Sequence, residues 1–208
     1  MKLVDMFEAV KGNAKEKLAG QVSLTENWLV AKDYTSLKRE SRGTSNTFYF
    51  KEGEPVVFVS YYSKNKESDN IGFTTMDKDF FDAEFRYTDG KVAFASRENG
   101  MKVIVSRGKT NKILCRLILG INSKNVCVDH KYHCIWLNDS FCIRPCTYSQ
   151  NNRNRKCSKR CVGDEFDYDP ACDFSEKWWL VLCVTMFHEL TWEQAKAYNM
   201  GGDVESVY

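Results

Sequence analysis

Ten residues toward the C-terminus, Trp178 to Phe187, are apolar at nine positions, carry no charge and show no polar face. A surface helix leaves one side wet, so this segment predicts a helix buried all round. It is about half the length of roughly 20 apolar residues needed to cross a bilayer. Asp173 with Glu176 three residues on has the spacing of a capping box, Pro170 breaks the chain upstream, and Gly201-Gly202 stops the helix. The pattern therefore predicts a central helix over about 175–198, in which a charge at Leu182 prevents folding. At the other end Leu3, Met6, Phe7 and Val10 fall at helical spacing, predicting a short amphipathic helix within residues 1–20.

Between these helices the pattern is that of short strands and tight turns, so residues 21–208 read as one mainly β domain. Thr47 to Phe50 and Val56 to Tyr62 flank Glu52-Gly53-Glu54-Pro55, a hairpin signal. Glu84 to Tyr87 alternates polar and aromatic residues and leads through Asp89-Gly90 into Val92 to Ala95. Asn99-Gly100 precedes a strand over Lys102 to Val105, and Gly108 to Asn111 turns into a strand over Ile113 to Leu119. Ser63 to Asn70 is polar and reads as an exposed loop. Strands at this spacing predict a sandwich or barrel.

Composition narrows the function classes. A formal net charge of +2 gives no global attraction to nucleic acid or membrane, so such contacts must come from a local patch. The N-terminal residues do not have the form of a secretory signal, which predicts a cytoplasmic, reducing setting in which nine cysteines are thiols or metal ligands. Asn138-Asp139-Ser140 fits a glycosylation sequon, which means nothing without secretion.

Two constellations could carry chemistry. Arg144, Arg153, Arg155, Lys156, Lys159 and Arg160 lie in one stretch with no acidic residue among them. Such a loop suits phosphate groups on phospholipid or nucleic acid, or is a solvated loop. Cys142-x3-Cys146 and Cys157-x3-Cys161 are two matching pairs ten residues apart. Four thiolates so spaced could enclose zinc, and Cys127, His130, His133 and Cys134 offer an alternative set. Equally, Cys127, Cys134 and Cys142 could fill strand interiors as small apolar residues. The acidic run Asp164, Glu165, Asp167, Asp169, Asp173 fails the calcium-loop pattern and reads as strand edge plus helix cap. His188-Glu189 lacks a second histidine at zinc-protease spacing, and no nucleophile motif is present. The chain reads as non-enzymatic.

Gly163-Asp164-Glu165-Phe166, then Pro170-Ala171-Cys172-Asp173-Phe174, then the apolar helix, resemble the tubby C-terminal-like superfamily. The nearest likeness is to its LURP-one-related branch, with phospholipid scramblases as more distant relatives. The hairpin from Lys102 through Arg107-Gly108 to Leu119 is similar to a central strand pair of that branch. The cysteine-rich, basic segment 142–161, the double Trp and the long N-terminal segment depart from the pattern. The resemblance implies a closed antiparallel β-barrel around one hydrophobic helix. It also implies a peripheral membrane role as a lipid-binding module for phosphoinositide or other anionic phospholipid. The alternatives are a zinc-stabilised nucleic-acid-binding protein and a protein-interaction domain with no small ligand.

Overall fold

The computed structural model describes residues 33–41, 44–63, 71–88, 92–96 and 102–154, together with Phe166, Cys183 and Phe187. The expected helix within 1–20, the motif at 163–174 apart from Phe166, and most of the helix at 175–198 lie outside the described residues.

Four antiparallel strands come first: β1 (Thr35–Ser41), β2 (Thr44–Phe50), β3 (Val56–Ser63) and β4 (Ile71–Asp77), paired in chain order. The expected β2–β3 hairpin is present, turning at Gly53 with φ of 84°. Successive strand residues point to opposite faces. Phe48 and Val59 stand opposite each other on one face, and Tyr49 and Phe58 on the other. Both faces are covered, which is why Val56 to Tyr62 is apolar almost throughout rather than alternating.

The first face is closed by α1 (Lys78–Phe81), which runs on as a π-helical turn over Asp82–Arg86. Phe81 and Phe85, one turn apart, pack on Phe48 at centroid distances of 5.2 and 5.6 Å. The alternation at Glu84 to Tyr87 predicts a strand, and the structure has a helical turn there. The helix wins because Phe81/Phe85 and the ion pairs of Asp82 with Lys78 and Arg86 all follow a four-residue period.

A second sheet joins β5 (Val92–Ser96), β6 (Val103–Arg107) and β7 (Thr110–Ile113), with Phe94 of β5 5.7 Å from Phe48. Gly108-Lys109 makes a tight turn, Gly108 adopting φ of 60°. The strand expected over Ile113 to Leu119 ends at Ile113. Leu114–Ile118 form α2 instead, with Leu114 and Cys115 buried and Leu117 and Ile118 packed on the core. The last pair, β8 (Cys127–His130) and β9 (Ile143–Cys146), is followed by α3 (Tyr148–Arg153). A capping box that sequence reasoning did not find starts α3: the Thr147 hydroxyl accepts from Gln150 N–H and the Gln150 side-chain Oε1 accepts from Thr147 N–H.

The second face of the four-stranded sheet meets the apolar run. Cys183 and Phe187, four residues apart and both helical, belong to or pack on the core. The Phe187 ring lies 4.4 Å from Tyr49, 5.0 Å from Phe58, 5.7 Å from Tyr34 and 6.2 Å from Phe73. These two residues agree with a buried helix, but the surrounding barrel is corrected. The described strands form sheets of four, three and two strands, and none of these sheets closes. The reason is at β4. Its outer edge meets a loop instead of a strand: Thr75 N–H donates to the Trp136 carbonyl (2.9 Å), and Asn138 N–H donates to the Thr75 hydroxyl (3.0 Å).

Candidate anionic-ligand surface

The β8–β9 hairpin is built on a buried carboxylate. Asp129, 2 % exposed, accepts from Arg144 Nε at 2.7 Å and from Asn154 Nδ2 at 2.8 Å. Asn154 in turn meets His133 Nε2, and His133 holds its turn with a left-handed backbone, φ of 54°. The Arg144 guanidinium also lies 3.9 Å from the Phe166 ring centroid. Arg144, expected to meet phosphate, is therefore committed to an internal charge. Arg153 sits half-buried in the last turn of α3. Arg155, Lys156, Lys159 and Arg160 lie outside the described residues.

The four expected zinc ligands are described only in part. Cys142 and Cys146 are buried, with 1 % and 7 % exposure, whereas Cys157 and Cys161 lie outside. The two described thiols face different neighbours. Burial pushes the Cys142 thiol far up, with Asp139 and Cys134 beside it raising it further. Burial likewise raises Cys146, to about 11, helped by Asp129 and Cys127. Nor does the alternative set converge. His130 bonds Asn138 (3.2 Å), His133 bonds Asn154, and Cys134 is fully buried in the core. Among the described residues no group of three or more such side chains could hold a metal ion. Cys134 and Cys142 pack as small apolar residues.

The sequon is a structural loop. Asn138 is 1 % exposed, and its amide donates to the Thr74 hydroxyl and the Ile135 carbonyl, each at 2.8 Å. Beside it, burial holds the Asp139 carboxyl above its usual range although Thr75 donates to it at 2.7 Å.

A cleft of about 760 Å³ opens between the β2–β3 turn and α1, lined by Glu52, Glu54, Asp77, Lys78, Asp79 and Asp82 among others. Most of its charged groups are already engaged. Lys78 bonds Asp82 (2.6 Å) and Glu52 (3.4 Å), and Arg86 bonds Glu52 (2.9 Å). Bonds from Arg86 and then Lys78 hold the Glu52 carboxyl below its ordinary value. Asp77 accepts from the Ser140 hydroxyl at 2.7 Å.

Sequence reasoning missed a wider basic segment. Residues 102–154 hold nine cations and two carboxylates, Asp129 and Asp139. Both carboxylates are buried, at 2 % and 0 % exposure. This part of the described chain therefore shows solvent no carboxylate. Lys109 at the β6–β7 tip, Lys112 on β7 and Lys124 before β8 are exposed, and no described carboxylate pairs with them. Two of the three large exposed apolar side chains among the described residues also lie here: Phe141 (45 %) and Tyr148 (64 %). Phe141 stacks on Tyr132, and the Lys131 ammonium lies over its ring while donating to its carbonyl. A charge count in a window longer than one loop would have found this segment.

No described helix is long and apolar enough to cross a membrane. In comparisons with known proteins the chain matches no family model, no curated protein and no solved structure.

Proposed function

We propose that the protein is a non-enzymatic, intracellular binding module that meets anionic phospholipid headgroups at the periphery of a membrane. The single observation that carries this reading is the segment 102–154, which holds nine cations and exposes no carboxylate of its own, although Arg107 pairs with Glu84 and Arg144 with Asp129. Anionic headgroups attract each nearby Lys or Arg with about 1 kcal/mol. Three exposed lysines without carboxylate partners among the described residues thus provide about 3 kcal/mol before entropy is subtracted. Phe141, with Lys131 over its ring, adds the aromatic and cationic pair suited to the headgroup boundary. Tubby-like membership stays with this proposal. Its support is the core placement of Cys183 and Phe187 within the apolar run.

Flotation with neutral, phosphatidylserine and phosphoinositide vesicles, at low and physiological salt, tests the reading. Recovery is expected with the anionic vesicles only and should fall with salt. Changing Lys109, Lys112 and Lys124 together to Ala should lower apparent affinity at least tenfold, while Lys38→Ala on β1 should leave it unchanged. Failure to float with any vesicle overturns the proposal. Single-stranded RNA displacing the protein from vesicles while binding it more tightly would transfer the surface to nucleic acid.

A further inference from the structure

Cys127 on β8 stands directly opposite Cys146 on β9, and both are thiols. The ladder fixes what kind of pair they form. Lys131 N–H donates to the Cys142 carbonyl at 2.9 Å, so 131 and 142 face each other at a hydrogen-bonded position. Such positions alternate along an antiparallel ladder. Counting back, Pro145 opposite Val128 falls at a non-bonded position, as a residue without an N–H must. Cys127 and Cys146 therefore occupy a hydrogen-bonded position, where Cα atoms stand about 5.5 Å apart.

That separation lies inside the range of about 4.4–6.8 Å that a disulfide spans. Side chains at hydrogen-bonded positions diverge more than at the alternate ones, so the bond carries strain and is readily reduced. Access is asymmetric. Cys127 is half-exposed and Cys146 is buried, so an external reagent reaches Cys127 first. Cys115, Cys134, Cys142 and Cys183 are buried.

We propose that Cys127 and Cys146 form a reversible cross-strand disulfide by exchange with a small-molecule disulfide such as oxidised glutathione. In the first step the Cys127 thiol loses its proton and its sulfur attacks the small disulfide. One S–S bond breaks, a mixed disulfide forms on Cys127, and a small thiolate leaves and takes up the proton. In the second step the deprotonated Cys146 sulfur attacks the Cys127 sulfur and expels the second small thiolate, which is protonated in turn. Two protein thiols are oxidised and one small disulfide is reduced to two thiols. The bond closes the hairpin that carries the Asp129–Arg144 pair, immediately before the Thr147 cap of α3. It is independent of whether the protein binds lipid.

The test uses the wild-type protein, folded, incubated with excess oxidised or reduced glutathione, then blocked with N-ethylmaleimide and mapped by tandem mass spectrometry. After oxidation and unfolding in the blocking reagent, Cys127 and Cys146 should be absent from the alkylated thiols, and one linked peptide should join them. Reduced glutathione should restore both thiols. Cys127→Ser and Cys146→Ser should each abolish the link. A stable glutathione adduct on Cys127 alone, a link from Cys127 to another cysteine, or no thiol loss from the folded protein would each overturn the proposal.

Discussion

Removing the Arg144 guanidinium leaves a nearly sealed carboxylate without its cation. Asp129 has a side-chain exposure of 3 %, against 19 % for Arg144, and their contact is 2.7 Å. Breaking a buried pair from one side costs about 3–5 kcal/mol. The partial exposure of Arg144 lets water reach the vacated site and puts Arg144→Ala at the lower end, about 3 kcal/mol. For a chain of this length each kcal/mol shifts the midpoint by about 2–4 °C, so Tm should fall by roughly 6–12 °C. Guanidinium titration should show the same loss as a lower midpoint at unchanged slope. The second half of the test restores neutrality. Asp129→Asn in the Arg144→Ala background keeps an acceptor for Asn154 Nδ2 and removes the stranded charge. The double variant should therefore be more stable than Arg144→Ala alone by about 1 kcal/mol or more. A single-variant loss under about 1 kcal/mol, the range of exposed pairs, would refute the reasoning. So would losses that simply add.

Two further outcomes follow from neighbouring features. A Cβ at Gly72 would overlap the Tyr61 ring, which covers the glycine across the β3–β4 pair. Gly72→Ala should cost about 1–3 kcal/mol by thermal melt, and Tyr61→Leu should recover part of that loss. Asp139 is held above the usual carboxylate range by burial, so its contribution to stability is full below about pH 4 and is lost as pH rises through its raised folded value. The stability of wild type minus that of Asp139→Asn should therefore decline from acid toward neutral pH in denaturant titrations. A difference that grows with pH would show that the carboxyl is stabilised in its charged form.

The hairpins were legible because their turns are chemically explicit: Glu52-Gly53-Glu54-Pro55 and Gly108-Lys109 sit where the chain reverses. Residues 82–86 misled because period-two and period-four patterns overlap there, and Phe81 and the Asp82 ion pairs decide between them only in three dimensions. Ile113 to Leu119 is apolar enough for a strand, yet the core takes Leu114 and Cys115 from a helical turn. Barrel closure was not legible, since the cap on β4 comes from Trp136 and Asn138, about sixty residues away, through backbone groups that leave no pattern. Arg144 looked like one more cation in a basic run. Its partner Asp129 lies fifteen residues upstream and is recognisable only from the strand register.

The place of Phe187 has a bearing on how the protein is made. The strands through Asp77 complete a sheet whose second face exposes Tyr49, Phe58 and Phe73 until Phe187 arrives to cover them. At about 5–20 residues per second of synthesis, the 110 residues from Asp77 to Phe187 take roughly 5–20 s. Through that interval the aromatic face, on which Tyr34 already packs against Phe58, lacks Phe187. Chaperones that hold apolar segments, and the speed at which codons between these two positions are read, should then affect the yield of this protein.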